Sequence, residues 1–438
     1  MCMREKYLSL RAILPFLMRK SFFLLSLSLL TLPLWGVTKE GRFVFQGSGF
    51  RSPDALLVTD TTFITPASDY GWEHPSAGQR PTLFSIRVPD GNYRVTVVFG
   101  NKRRSTCTTL KAESRRLIAE EVRTRKGEQI QQTFVIHKHS PAYGEDRQVR
   151  LNARERYKLD WDDRLTLEIG GDEAGLHTVT VLPDTTSTTV FLCGNSTVVD
   201  QDSEPWCSWG QILPRWMDDS VTIANFAESG ETASGFIAEG RLAKAMTMAR
   251  PGDYLVVEFG HNDQKQRGPG MGAYYNFAVA VKTFIDEARS RGITPILVTP
   301  TRRRAWQDGV LIDTHADYPQ ALHDIAQRER VCLLDLQEQT RILYTALGEE
   351  GSTRAFVHYP AGTFAHQPQA LKDNTHFNPY GAYEIAKCVV EEMRRAGLPL
   401  CSHLRDDYKP FDPTHPDDPD TFRWLPSPFV DVTKPLGN

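Results

Sequence analysis

The chain has 438 residues but only seven cysteines, and none of them forms a Cys-x-x-Cys pair. That leaves no disulfide framework and no thiolate metal cluster to read. Cys2 falls in the first segment. Cys107, Cys193, Cys207, Cys332, Cys388 and Cys401 show no regular spacing and read as small buried side chains, although an export signal leaves one disulfide open. Charge is equally scarce: the formal net charge is −3, without a long run of one sign. A nucleic-acid partner needs a net basic surface, so that class is excluded. No internal repeat is visible. Only one apolar run exceeds the length of a core strand, residues 21–35, directly after Arg19-Lys20. It is short for a membrane span, and no second one exists. Basic start, short apolar middle and polar continuation form the secretory pattern. Met18 offers a start just before it, cleavage is expected near Gly36, and no cysteine follows to take a lipid. Residues 1–36 are therefore expected to be a secretory signal segment. The mature protein is expected to be secreted or periplasmic, without membrane association.

What remains is too long for one ordinary core, so two domains are expected. Residues 41–184 read as β. Tyr93, Val95, Val97 and Phe99 alternate with Arg94, Thr96 and Val98, the period of a half-buried strand. Asp90-Gly91 just before them predicts a tight hairpin turn. Strand-like runs recur at 42–46, 55–59, 83–88, 131–137, 148–151, 164–169 and 177–182. Many short strands without a convincing helix predict a β-sandwich. A polar linker follows at 183–188. Over 189–401 the rhythm changes. Apolar strands at 190–193, 221–226, 254–259, 294–298 and 331–336 alternate with helical stretches at 209–217, 236–249, 274–291, 319–329, 338–347 and 379–395. That pattern predicts an α/β class with a parallel sheet covered on both faces. Sites in such sheets open at the carboxyl ends of the strands. Residues 402–438 are rich in Pro and Asp, and are expected to form an extended strap or a loose tail.

Four short segments carry chemistry. Gly194-Asn195-Ser196-Thr197, Ala227-Glu228-Ser229-Gly230 and Gly260-His261-Asn262-Asp263 each follow an apolar strand, and Asp373-Asn374-Thr375-His376 opens the last helix. Ser196 is the candidate nucleophile, exposed by a turn that Gly194 permits. By itself, such a serine reads as a helix cap. His376 is the candidate base, with Pro379 in the first turn of the helix behind it. Asp373, three residues earlier, is placed to orient the imidazole if the segment is a helical turn or compact loop. Gly230, through its N–H, and Asn262, through its amide, are candidate oxyanion donors together with the N–H of Ser196. His261 and Asp263 read as loop supports. His315 and His358 lack metal-ligand spacing, so no metal and no cofactor is assigned.

These segments resemble the four blocks of the SGNH (GDSL-type) hydrolases, with Ser196, Gly230, Asn262 and His376 in the four key places. More narrowly, 189–400 resembles rhamnogalacturonan acetylesterases, through 194–200, 225–230, 258–263 and 373–382. The N-terminal half resembles the galactose-binding-like β-domain of many bacterial members, as at Asp69-Tyr70-Gly71-Trp72 and 88–97. The resemblance implies a flavodoxin-like, three-layer α/β/α domain that removes acetyl groups from pectic rhamnogalacturonan without a metal. Two positions depart from the pattern. Asn195 replaces the usual acid before the serine, and Glu231 stands where the second block often has Arg. The second departure bears on the polysaccharide more than on the reaction. Arg302, Arg304 and Trp306, after the fourth strand, are candidate contacts for a uronate and a sugar face, although a solvated basic run reads equally well. Deacetylation of another glycan such as xylan, or a carbohydrate-binding protein with a decayed hydrolase half, are the alternatives. Retention of Ser196, Asp373, His376, Gly230 and Asn262 together argues against the latter.

Overall fold

The alternation seen at 93–99 is obeyed by the folded chain. In the strand Gly91–Phe99 the side chains of Tyr93, Val95, Val97 and Phe99 are buried, while Arg94, Thr96 and Val98 are half-exposed. The computed structural model describes residues 41–75 and 79–436. The expected secretory segment, residues 1–36, lies outside the described residues. Gly91–Phe99 pairs antiparallel with Leu176–Asp184 and with Ile130–Lys138. Arg42–Phe45 and Leu56–Val58 complete a five-stranded sheet. A second five-stranded sheet contains, in spatial order, Tyr70–Trp72, Leu83–Arg87, Arg164–Gly170, Thr106–Ala112 and Arg116–Thr124. One apolar cluster takes side chains from both sheets, among them Phe43, Val95, Val97 and Val179 from the first and Phe84, Leu110, Leu165 and Leu167 from the second. The hairpin expected at Asp90-Gly91 does not form, because the strands on either side belong to different sheets. Asp90 is drawn instead into ion pairs with Lys138 at 2.9 Å and Lys244 at 2.5 Å. Those charges hold its carboxyl down at about 2 against the opposing effect of burial.

In the second half five parallel strands lie in the order Val221–Asn225, Thr188–Gly194, Tyr254–Glu258, Thr294–Val298, Cys332–Leu334. Successive strand residues point to opposite faces, and here both faces are apolar. Val190, Leu192, Ile223, Val256 and Ile296 pack with Trp209, Ile385 and Val389. Phe191, Cys193, Ala224, Leu255 and Leu297 pack with Phe236, Phe284 and Leu322. This double burial is why the strands read as unbroken apolar runs.

The helices differ from expectation where backbone chemistry intervenes. The stretch 236–249 is two helices, Ala233–Ala238 and Arg241–Met248, parted by Gly240 at φ 83°. The stretch 209–217 is one helical turn, Trp209–Ile212, followed by a 3₁₀ turn, Leu213–Trp216, with Pro214 at its start. The 338–347 helix starts two residues earlier, at Leu336, because Asp335 caps it by accepting from the N–H of Glu338 at 3.2 Å, and its helical backbone is broken at Gly348, φ 77°. The six cysteines from Cys107 onward are free thiols. No helix among the described residues is long and apolar enough to cross a membrane. The C-terminal stretch is a strap. The N–H of Glu204 donates to Phe429 O at 2.8 Å, the N–H of Asp431 donates to Glu204 O at 3.0 Å, and Trp206 Nε1 donates to Asp431 O at 2.8 Å.

The last helix, Pro379–Arg395, presses its first turn on the chain at Ala355. A Cβ on Gly381 would lie 1.9 Å from Ala355 O. Gly381→Ala should therefore destabilise by about 1–3 kcal/mol, the usual range for overpacking. The urea midpoint should fall at constant slope, and an unchanged midpoint would contradict the close approach.

Candidate active site

Ser196 sits one turn beyond the strand Thr188–Gly194. The bend requires glycine: a Cβ on Gly194 would meet Val198 Cγ2 at 2.6 Å and Glu258 O at 3.1 Å. Asn195 then closes the turn. Its Oδ1 accepts from the N–H of Thr197 at 3.1 Å, with Thr197 Oγ1 3.0 Å away, and its carbonyl accepts from the N–H groups of Val198 and Val199. The acceptor role open to an acid at this position is thus filled by an amide without a buried charge. Ser196 is buried, and its carbonyl is held by Gln201 Nε2 at 3.0 Å.

His376 and Asp373 lie on neither the helical turn nor the compact loop that their spacing allowed. Both lie on the strand Leu371–Phe377, which pairs antiparallel with Phe356–Tyr359 through an irregular register. On a regular strand, residues three apart face opposite sides. Here Asp373 Oδ1 accepts from the N–H of Thr375 at 2.7 Å and of His376 at 3.0 Å, which folds the strand back on itself. The imidazole is thereby brought onto the carboxylate, with Nδ1 2.8 Å from Asp373 Oδ2. Its other nitrogen, Nε2, lies 2.9 Å from Ser196 Oγ. Burial pushes Asp373 upward, but its hydrogen bonds to His376 and Thr375 and the charge of the imidazole hold it down at about 2. Lys434 of the strap brings its Nζ to 3.4 Å from Asp373 Oδ2, and the Trp206 ring stands edge-on to His376 at 5.8 Å.

The second and third segments meet beside this line. Gly230 has φ 88°, a left-handed conformation suited to glycine. Its loop is tied to the serine strand by the N–H of Glu228, which donates to Gly194 O at 3.2 Å. Asn262 Nδ2 donates to Glu231 O at 3.0 Å, and Asn262 Oδ1 accepts from Lys265 Nζ at 3.0 Å. Among the described residues, neither the N–H of Ser196 nor that of Gly230 has a hydrogen-bond acceptor. Asp263 supports both loops, accepting from the N–H groups of Ala233 at 2.8 Å and Gly260 at 2.9 Å. Burial pushes it up to about 6. His261 Nδ1 lies 3.0 Å from His315 Nε2, and burial lowers the basicity of both rings. No group of three His, Cys, Asp or Glu among the described residues could hold a metal ion.

Sequence reasoning passed over Glu258, Gln201, Lys265 and Lys434. Glu258 had a signal, a lone acid ending an apolar strand. It accepts from Thr197 Oγ1 at 2.7 Å and from Trp209 Nε1 at 2.6 Å, so it braces the residue after the serine. The arginine run is spent largely on protein partners. Arg302 lies 3.8 Å from Asp313. Arg303 donates to His261 O at 3.0 Å and to Thr314 Oγ1 at 3.1 Å. Arg304 donates to Ser352 Oγ at 3.1 Å and to Asn374 Oδ1 at 3.3 Å. Trp306 packs against the apolar cluster on one face of the parallel sheet.

Residues 192–382 match the GDSL-like lipase/acylhydrolase family. The chain is 38% identical over 218 residues to the rhamnogalacturonan acetylesterase RhgT of Bacillus subtilis, a match spanning 49% of this chain and 93% of that protein. It is 32% identical over 218 residues to the probable rhamnogalacturonan acetylesterase YesY of the same organism, covering 49% of this chain and 96% of that one. Similarity to the uncharacterized esterase YxiM, also of B. subtilis, is 24% over 367 residues, 81% of this chain and 85% of the other. Such similarity, with the site above, defines a carboxylic ester hydrolase. The chain belongs to the GDSL-like lipase/acylhydrolase family and is homologous to rhamnogalacturonan acetylesterases.

Burial pushes Glu258 up to about 7 from an ordinary 4.5, although its hydrogen bonds from Thr197, Trp209 and the backbone of Thr301 all favour the anion. Between those values the folded protein keeps a proton that the unfolded chain releases. The contribution of Glu258 to stability therefore declines as pH rises from about 4.5 to about 7, and is level above. Glu258→Gln stays neutral throughout. From pH 5 to pH 8 its stability relative to wild type should rise by about 2–3 kcal/mol. Parallel pH profiles for the two proteins would contradict a buried neutral acid.

Proposed function

We propose that this protein removes O-acetyl groups from a pectic polysaccharide, rhamnogalacturonan, through a Ser-His-Asp acyl-enzyme mechanism. The observation that carries this reading is the unbroken line from Ser196 Oγ through the His376 ring to Asp373. In it, Ser196 Oγ attacks the acetyl carbonyl carbon while its proton passes to His376 Nε2. Asp373 accepts from Nδ1–H, fixing the tautomer and stabilising the imidazolium. The carbonyl oxygen becomes an anion held by the free N–H groups of Ser196 and Gly230 and by the second N–H of Asn262 Nδ2, whose first is engaged by Glu231 O. Losing one such donor slows a hydrolase on the order of a hundredfold or more. The sugar oxygen leaves with the proton from His376. Water, deprotonated by the same nitrogen, then releases acetate and restores the serine. No metal or cofactor takes part in these steps.

The substrate reading draws support from two sides. Two of the relatives above are named as rhamnogalacturonan acetylesterases, one of them as probable. Cations also gather at the site, with Lys434 beside Asp373 and Lys265 on Asn262. Burial, Arg303 and Lys434 together lower Lys265 to about 8. A uronate next to the acetylated sugar would relieve that repulsion. The strand order of the parallel sheet, second-first-third-fourth-fifth in chain order, supports a flavodoxin-like α/β/α domain over 189–401. The apolar cluster shared by the two N-terminal sheets supports a β-sandwich over 41–184. Secretion, directed by residues 1–36, belongs to the same proposal.

Ser196→Ala should abolish acetate release, and Asp373→Asn should lower kcat by a factor on the order of 10³–10⁴ with folding intact. Both are measured on acetylated rhamnogalacturonan and acetylated xylan side by side. Full activity of Ser196→Ala ends the mechanism. A preference for xylan replaces the substrate and keeps the mechanism.

A further inference from the structure

Two parts of the N-terminal half reach into the loops that carry the hydrolytic site. The first is the turn Glu113-Ser114-Arg115, between the strands Thr106–Ala112 and Arg116–Thr124. Glu113 at φ 53° and Arg115 at φ 64° are both in the left-handed region, which side-chain-bearing residues seldom occupy. Such conformations persist where the surroundings over-determine them, and they gather at functional sites. The Arg115 side chain is buried. Its Nη1 donates to Trp206 O at 2.8 Å and to Gln201 O at 3.1 Å, and its Nη2 is 2.6 Å from Glu204 Oε1. Gln211 Nε2 donates to both Ser114 O and Gln201 O at 2.7 Å. Arg116, equally buried, pairs through Nε with Asp200. These bonds end on the reacting groups' own supports. Gln201 holds the carbonyl of Ser196, and Trp206 stands against His376.

The second is Lys158. Its Nζ donates to Glu228 Oε2 at 2.6 Å, with both side chains buried. Glu228 lies two residues before Gly230, in the loop tied to the serine strand at Gly194. A buried ion pair adds little net stability over an apolar pair of the same shape, but it admits only one arrangement, and removing one partner leaves a charge uncompensated. Asp200, Glu204 and Glu228 are thus acids of the hydrolase loops whose counter-charges come from the N-terminal half.

We propose that Arg115, Arg116 and Lys158 are positioning residues for ester hydrolysis, so that the N-terminal β region is a working part of the catalytic unit. This rests on the esterase reading above. The serine turn is held from one side by Arg115 and Arg116, and the Gly230 loop from the other by Lys158. Both grips set where the hydroxyl and the N–H donors stand relative to His376.

The test uses the full chain and a p-nitrophenyl alkylphosphonate. Ser196 Oγ forms a bond to phosphorus and p-nitrophenolate leaves, so the amount released counts competent sites and the rate reads their reactivity. Arg115→Met and Lys158→Met should phosphonylate at least about tenfold more slowly per competent site. Their kcat on p-nitrophenyl acetate should fall in parallel, with KM within about twofold. Arg115→Lys and Lys158→Arg should recover part of the rate. Arg94→Met is the control. It breaks another pair between the halves, with Asp219 at the opposite end of the parallel strands, and should keep the wild-type rate whatever its melting temperature. Wild-type rates per site in the Met variants, with only melting temperature or site count reduced, overturn the proposal. If the Met variants do not fold, the Lys and Arg exchanges decide: a reduced rate per site supports the proposal and a wild-type rate overturns it. A wild type that releases no Ser196-dependent p-nitrophenol overturns the esterase reading instead.

Discussion

One hydrogen bond, 2.9 Å between Ser196 Oγ and His376 Nε2, closes a gap of 180 positions along the chain. A serine hydroxyl is inert at neutral pH unless a base is within reach of its proton. The two atoms come from separate constructions. One is a bend at the end of a parallel strand, packed so closely that only glycine fits at position 194. The other is an irregular strand folded on itself by the Asp373 carboxylate, which both turns the backbone and receives the imidazole. A single carboxylate thereby sets where the ring is and which way it faces. Its low proton affinity, about 2, follows from the same bonds.

Around this line the protein uses buried acids as fixtures. Glu258 braces Thr197 and Trp209, Asp263 ties the loops at Gly260 and Ala233, and Glu228 is met by Lys158. Burial pushes Glu258 and Asp263 toward neutrality, so the scaffold is held by hydrogen bonds that tolerate a proton. Glu228 is treated differently, with a full counter-charge brought from the other half of the chain. The two halves therefore meet through specific charges at the site as well as through apolar surface.

Legibility in the sequence followed the range of the interaction. The five parallel strands were readable because burial on both faces leaves unbroken apolar runs. Ser196, Gly230, Asn262 and His376 were readable because each lies in a short segment with its own local pattern. The pairing of Asp373 with His376 was readable from spacing, yet the means was not: a strand was bent by its own carboxylate where a helical turn or compact loop was expected. The Asp90-Gly91 hairpin failed because the strands on either side pair into different sheets, with partners remote in sequence. Arg115 and Gln201 left no trace, since a buried arginine in a strained turn has no periodicity to betray it. The candidate sugar contacts Arg302 and Arg304 were chosen for a basic run, and the fold directs much of that charge onto Asp313, Ser352 and Asn374.

Mass mapping of the protein after reaction with an acyl-mimicking phosphonate shows whether His376 makes Ser196 nucleophilic. One adduct per chain is expected on the peptide carrying Ser196, absent when His376 is replaced by Ala. An adduct on another residue, or undiminished labelling of Ser196 without His376, would contradict that role.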